Sequence, residues 1–205
     1  MSNIIYIQAS PRGTRSYSLA VADAFIDTLK AVDQSANIQT YNLHEMKLPE
    51  LDNDTLVGKY NIMHGREFTT EEKEKWSAVE AVIEDFKKAD KLVFAIPMWN
   101  FSIPYRLKHF MDIVAQPSYT FQVGPNGYEG LVRAKTFIAY SRGGAYEDGS
   151  PYDFQATYVK HYLGFIGITD IQSVTVQPTL AGGPEAAQKA REEAISQAVE
   201  IAKTF

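Results

Sequence analysis

Five short apolar segments, separated by stretches of helical periodicity, most constrain how this chain can fold. These segments are predicted to be strands and cover residues 3–8, 38–41, 91–96, 136–140 and 171–176. Most are dense in Ile, Val, Phe and Tyr, which is typical of strands buried on both faces. Strands that alternate with helices pair in parallel through right-handed crossovers. The pattern therefore predicts an α/β protein with a doubly wound, five-stranded parallel sheet and helices on both faces.

Three helices are predicted where apolar residues recur at spacings of three and four. They cover residues 19–29, 76–86 and 107–114. Thr69 and Glu72 have the spacing of a capping box, and Pro104 and Pro184 are expected in first turns, where the missing amide hydrogen has no intrahelical partner. Five strands joined in this way favour a flavodoxin-like strand order.

The composition predicts one domain and excludes several kinds of chemistry. With 205 residues, 45% of them hydrophobic, the chain can bury a sizeable core, so residues 1–205 are expected to form a single domain. A formal net charge of -5, without any lysine or arginine run, predicts no nucleic-acid partner. The absence of cysteine excludes disulfides, iron–sulfur ligation and thiolate nucleophiles.

Membrane and metal sites are not expected either. No apolar stretch approaches the length of about 20 residues that spans a bilayer, so a cytoplasmic protein is predicted. No two of the histidines are three or four residues apart, which predicts no metal site; they are His44, His64, His109 and His161.

Two segments interrupt the alternation of strands and helices. Residues 48–66 are polar and too long for an ordinary connection, so they are either a functional lid or interface segment or simply mobile. Residues 119–132 alternate between apolar and polar positions around Pro125-Asn126-Gly127, which predicts a hairpin.

The loop after the first predicted strand favours an anion. It runs from Ser10 to Ser18 and leads into a helix, whose free amides and positive dipole end would bind a phosphate monoester with help from the serine hydroxyls. It lacks the lysine of a nucleoside-triphosphate loop and the glycines of a dinucleotide fingerprint. The alternative is that Ser16 only caps the helix and the other residues form an ordinary turn.

The loops after the third and fourth strands add a second requirement. Between two prolines, the third loop displays Trp99, Asn100 and Phe101, which suit a flat ring with polar edges, unless the aromatic side chains are core residues. In the fourth loop, Gly143 and Gly144 permit close backbone approach, or simply end the strand. A phosphate and a flat, polar-edged ring together describe flavin mononucleotide (FMN).

The sequence resembles a known family at these same loops. The stretches PMWNF (97–101), SRGG (141–144) and GFIGITD (164–170) closely resemble the FMN-dependent NADH-azoreductases, a flavodoxin-like quinone reductase family. The resemblance implies an FMN phosphate site at Ser10, Ser16, Tyr17 and Ser18. It implies contacts to the isoalloxazine ring from Met98, Trp99, Asn100 and Phe101, and closure over its other edge by Ser141, Arg142, Gly143 and Gly144. It also suggests Phe121 as a substrate-facing residue.

The resemblance further implies a homodimer that reduces quinones and azo compounds with NADH or NADPH by a ping-pong exchange. Because the flavin itself carries the hydride at N5, no catalytic side chain is expected, and Asn100 is assigned a possible role in polarising the flavin. Two alternatives remain open from the sequence: a flavodoxin-like one-electron carrier and a non-enzymatic FMN-binding sensor.

Overall fold

The computed structural model describes residues 2–125, 127–147 and 149–205, and its centre is a five-stranded parallel sheet. In chain order the strands are β1 (Asn3–Gln8), β2 (Asn37–Asn42), β3 (Lys91–Pro97), β4 (Phe121–Gly124), β5 (Gly127–Gly130), β6 (Lys135–Ser141) and β7 (Ile171–Val176). β4 and β5 form a separate antiparallel pair, and the others lie in the order β2-β1-β3-β6-β7. All five predicted strands and the predicted flavodoxin-like order are confirmed.

Helices cover both faces of the sheet, as predicted. They are α1 (Tyr17–Val32), α2 (Asn53–Met63), α3 (Thr70–Lys87), α4 (Tyr105–Val114), α5 (Phe154–Phe165) and α6 (Gly183–Ala202). On one face α1 and α6 pack over the sheet, where the rings of Phe25 and Phe137 stack with centroids 3.9 Å apart. On the other face α3, α4 and α5 enclose the buried Trp76 and Phe110. Within the described ranges, no helix has both the length and the apolar character needed to cross a bilayer.

Capping side chains explain where several helices begin. Thr69 and Glu72 form the predicted capping box of α3, with N–H to oxygen distances of 3.1 and 2.8 Å. Pro184 lies in the first turn of α6, as predicted. The prediction for Pro104 is wrong by one position: its extended backbone, with ψ 143°, makes it the N-cap, and α4 begins at Tyr105.

The segment 48–66 contains α2, a helix that the sequence did not predict. Only one of its large apolar side chains, that of Ile62, packs against the core, so the helix has no apolar stripe to reveal it. The others are exposed: Leu56, Val57, Tyr60 and Met63. α2 instead docks on α3 through Gly58, where a Cβ would lie 2.6 Å from Glu72 O. The buried Lys59 Nζ donates to Gln116 Oε1 at 2.8 Å, and burial lowers the pKa of this lysine.

The predicted hairpin in residues 119–132 is confirmed by the pairing of β4 with β5. Asn126, predicted in its turn, lies outside the described residues. At the base of the hairpin, a Cβ on Gly130 would lie 2.1 Å from Gly167 N. Only glycine therefore allows the hairpin to dock against the segment that follows α5.

Candidate active site

Three loops meet at the carboxyl edge of the sheet, where the strand order reverses. They follow β1, β3 and β6, which lie side by side. Ala9 N donates to Ala95 O at 3.0 Å and Met98 N donates to Ser141 O at 2.8 Å, so backbone hydrogen bonds join all three strand ends. Open parallel sheets bind ligands at such a point. The structure therefore brings together the three loops that the sequence singled out.

The loop after β1 places buried hydroxyls at the amino end of α1. Ser10, Ser16 and Ser18 are buried, whereas residues 11–15 are exposed. Ser16 Oγ accepts a hydrogen bond from Leu19 N at 3.4 Å, which makes it the N-cap, and it lies 3.3 Å from Ser18 Oγ. The first amides of a helix, here including that of Tyr17, have no intrahelical partner and remain for an anion. Capping and phosphate binding are therefore compatible at this loop.

The loop after β3 is a tight turn that turns an amide and an aromatic ring outward. Trp99 N donates to Ser102 O and Ser102 N donates to Trp99 O, both at 3.0 Å. Asn100 has φ 47° and Phe101 has φ 69°, the left-handed pair of a type I′ turn. Asparagine is common there, but a left-handed phenylalanine is rare. Phe101 is 50% exposed, so the alternative that it is a core residue is wrong.

The backbone after β6 packs closely against a neighbouring segment at the first of its two glycines. A Cβ on Gly143 would lie 3.1 Å from Leu180 Cδ1, and one on Gly144 would lie 3.4 Å from the Tyr146 ring. Gly143 O also accepts hydrogen bonds from the amides of Leu180 and Ala181, both at 3.0 Å. The missing side chain of Gly143 thus lets the segment at Leu180 and Ala181 come close to this edge of the sheet, whereas a Cβ on Gly144 would make an ordinary contact with its own loop.

Arg142 differs from the other predicted cofactor residues because its guanidinium is already engaged. Its Nη2 lies 2.7 Å from Asp153 Oδ2, and both side chains are almost fully buried. Its Nε donates to Gln155 Oε1 at 3.0 Å. Ser141 beside it is buried as well. The backbone of Arg142 is engaged as well, because Arg142 N donates to Val176 O at 3.0 Å and Arg142 O accepts from Thr179 N at 2.9 Å. Arg142 therefore ties its loop both to the start of α5 and to the chain that follows β7.

A cleft of about 840 Å³ opens beside the Trp99–Ser102 turn. The sequence reading missed most of its walls, which include Leu51, Tyr105, Lys108, Asp112 and Tyr158. Tyr105, Lys108 and Asp112 lie on α4 at helical spacing, so a polar face on that helix is the sequence pattern that could have predicted this wall of the cleft. Lys108 and Asp112 form an ion pair at 2.6 Å, and burial raises the pKa of the Tyr158 hydroxyl above its ordinary value.

His44 is a further neighbour of the site that the sequence did not assign. Its Nε2 lies 3.3 Å from Ala9 O, directly before the serine-rich loop. Its ring centroid is 6.1 Å from those of Trp99 and Tyr105. Among the described residues, no group of acidic or histidine side chains has the arrangement of a metal site.

Phe121 is not brought to this edge of the sheet. Its ring packs against Phe165, the last residue of α5, with centroids 4.5 Å apart, and against Tyr128 at 6.2 Å. The opposite end of α5 is the one tied to Arg142. A helix rises about 1.5 Å per residue, so the length of α5 separates Phe121 from the three loops within one chain.

These features define a class: α/β proteins that bind a mononucleotide at the switch point of a doubly wound sheet. The residues present fit FMN in particular, because a helix terminus with buried hydroxyls suits its phosphate and the outward turn suits its ring. Residues 2–202 match the family described as "Flavodoxin-like fold", and the chain belongs to that family.

Named relatives make the likeness more specific. The chain is 47% identical over 209 residues to an FMN-dependent NADH:quinone oxidoreductase of Nitratidesulfovibrio vulgaris strain Hildenborough, with 100% of both chains covered. It is 44% identical to a protein of the same name from Desulfotalea psychrophila, over 98% of each. Among solved structures, an FMN-dependent NADH-azoreductase from Bacillus anthracis in complex with FMN has a TM-score of 0.88 and 28% identity, with 98% and 100% of the two chains covered.

Proposed function

We propose that this protein is an FMN-dependent oxidoreductase that transfers hydride from NADH or NADPH to quinones and azo compounds. The observation that carries the proposal is the turn at Asn100 and Phe101, held in a left-handed conformation beside a large cleft. Such strain persists where the surrounding structure enforces it, and it clusters at ligand sites. Relatives named for FMN-dependent quinone reduction match the whole chain, which supports the same assignment.

The phosphate of FMN is assigned to the amino end of α1. The hydroxyls of Ser10, Ser16 and Ser18 are buried there, and the first amides of the helix, including that of Tyr17, carry the positive end of its dipole. The ring is assigned to Met98, Trp99, Asn100 and Phe101 on one side and to Ser141, Gly143 and Gly144 on the other. Arg142 is assigned to the same edge, where its hydrogen bonds hold the loop in place.

FMN, when bound, supplies the chemistry of hydride transfer. The part left to the chain is to orient the ring, polarise its edge and keep water away. The Asn100 amide is assigned to polarise the ring edge, because it is a hydrogen-bond donor on the turn and its side chain is exposed. No acid–base pair is assigned, and the neutral Tyr158 hydroxyl in the cleft is available to orient an acceptor.

We also propose a homodimer in which residues 1–205 form one domain per copy. Exposed aromatic side chains at the cleft and at the start of α5 are available for contact with a second copy; they include Tyr105, Tyr152 and Phe154. A second groove of about 560 Å³ lies at the start of α5. Because Phe121 lies away from the three loops of its own chain, its assignment to the substrate requires the site of a second copy. The cytoplasmic location remains a prediction.

The cleft is the observation that favours an enzyme over a one-electron carrier or a sensor. A carrier needs only an exposed flavin edge, whereas a space of about 840 Å³ beside the turn is in the range of small-molecule pockets. Its walls combine aromatic side chains with an ion pair, which suits a planar acceptor with polar substituents.

The visible spectrum of the FMN-reconstituted protein tests this function. Anaerobic NADH or NADPH should bleach the flavin before any acceptor is present, and a quinone or azo dye should then restore the colour, as a ping-pong exchange requires. Flavin that binds without bleaching would identify a carrier or sensor. Failure to bind FMN would overturn the assignment of all three loops.

The role of Asn100 is tested by Asn100→Leu in stopped-flow measurement of flavin bleaching. The rate should fall while FMN remains bound, because a polar donor at the ring edge is lost. Asn53→Leu, an exposed change on α2, serves as the control. An unchanged rate in Asn100→Leu would remove this residue from the mechanism.

A further inference from the structure

One buried side chain connects two of the three loops. Gln155, in the first turn of α5, is fully buried. Its Nε2 donates to Ile96 O at 3.0 Å, one residue before the end of β3. Its Oε1 accepts from Arg142 Nε at 3.0 Å, one residue after the end of β6. A single amide therefore contacts the chain directly below the Trp99–Ser102 turn and directly within the loop after β6.

The same helix start is tied to these loops a second time. Asp153, the N-cap of α5, accepts from Ala156 N at 2.9 Å with one oxygen and pairs with Arg142 through the other. Asp153 and Gln155 thus hold the guanidinium of Arg142 from two sides. The geometry of the loop after β6 is in this way fixed relative to α5, which also carries Tyr158 into the cleft.

We propose that Gln155 is a positioning residue, which sets the spacing of the loops after β3 and β6 and so the affinity and environment of the flavin between them. The inference rests on the proposed assignment of these loops to FMN. Gln155 does not contact the ligand itself, because its side-chain amide is buried and already hydrogen-bonded to Ile96 O and Arg142 Nε.

The chemistry of the position requires an amide. Ile96 O needs a donor and Arg142 Nε needs an acceptor, and glutamine supplies both from one planar group. A leucine of similar size supplies neither, and a glutamate supplies only the acceptor. A buried amide is costly unless both of its ends are paired, so simple packing would favour an apolar residue here.

The test compares Gln155→Leu, Gln155→Glu and, as a matched control, Gln197→Leu on the exposed face of α6. Two quantities are measured on folded protein: the FMN dissociation constant, from quenching of flavin fluorescence, and the visible circular dichroism of the bound flavin. Loss of a supporting hydrogen bond around a bound group changes affinity by about 10-fold to 100-fold in metal sites, and a similar range is expected for Gln155→Leu. Gln155→Glu should keep the Arg142 contact and give a smaller change.

The outcomes separate the inference from the function on which it rests. Wild-type protein that fails to bind FMN would overturn the loop assignment and this inference with it. Wild-type binding with unchanged affinity and dichroism in Gln155→Leu would overturn the inference alone. If Gln155→Leu does not fold, Gln155→Glu decides: weaker binding and altered dichroism with native far-ultraviolet dichroism support positioning, and wild-type values refute it.

Discussion

Replacing Phe101 by asparagine should leave the free energy of unfolding of the FMN-free protein within about 0.5 kcal/mol of the wild-type value. The left-handed backbone of a non-glycine residue costs about 1–2 kcal/mol, and asparagine adopts it more readily than phenylalanine. A fully buried phenylalanine contributes about 1.5–3 kcal/mol, and Phe101 is 50% exposed, so about half of that is lost. The relief of strain and the lost burial therefore nearly offset each other.

Phe68→Asn is the matched control, because Phe68 is 44% exposed and its φ is not positive. It should lose about 1 kcal/mol with no relief of strain. Urea unfolding of both variants, at one fixed protein concentration, measures the difference. Flavin-fluorescence titration should show weaker FMN binding in Phe101→Asn. If Phe101→Asn is as destabilising as Phe68→Asn, the turn stores no strain and the argument for its functional role fails.

Three further changes test other parts of the structure. Gly130→Ala should lower the free energy of unfolding by about 3 kcal/mol or more, because its Cβ would lie 2.1 Å from a backbone atom. Gly164→Ala is the control: its Cβ would lie in open space on α5, so thermal unfolding should show no loss of stability. Ser16→Ala should cost about 1 kcal/mol through loss of the α1 cap and should also raise the FMN dissociation constant, and an effect on stability alone would refute its phosphate role. Hydrogen bonds from the backbone and side chain of Thr55 lower the pKa of Asp52 to about 2, below its value in the unfolded chain. The contribution of Asp52 to stability is therefore present above about pH 4 and is lost as the pH falls toward 2. Asp52→Ala should abolish that part of the acid-unfolding curve.

The sheet and its loops were predictable because the signals are local. Runs of β-branched and aromatic residues mark the strands, and the prolines and glycines at 97, 104, 143 and 144 mark the loops that meet at its edge. α2 was not predictable in this way. Its buried residues are Thr55, Gly58 and Lys59, and Ile62 is the one large apolar side chain beside them that packs against the core, so the docking side of the helix lacks the apolar periodicity by which helices are recognised.

Contacts between distant parts of the chain account for the rest. Nothing in the sequence indicates that the Arg142 guanidinium would pair with Asp153 and donate a hydrogen bond to Gln155, because these contacts depend on where α5 begins relative to β6. The position of Phe121 likewise depends on which end of α5 the hairpin meets. In both cases the residue type was informative, but the direction of its side chain was a property of the fold.

The joining of three loops at one sheet edge has a consequence for motion. These loops belong to segments far apart in the sequence, and loops as a class open locally at a lower free energy than the core of a fold. A ligand that contacts all three acts as a reversible cross-link, because it stabilises only the state in which they are closed together. Hydrogen exchange of the amides in residues 9–18, 98–104 and 141–147 should therefore slow in concert when FMN is added, with one shared dependence on its concentration.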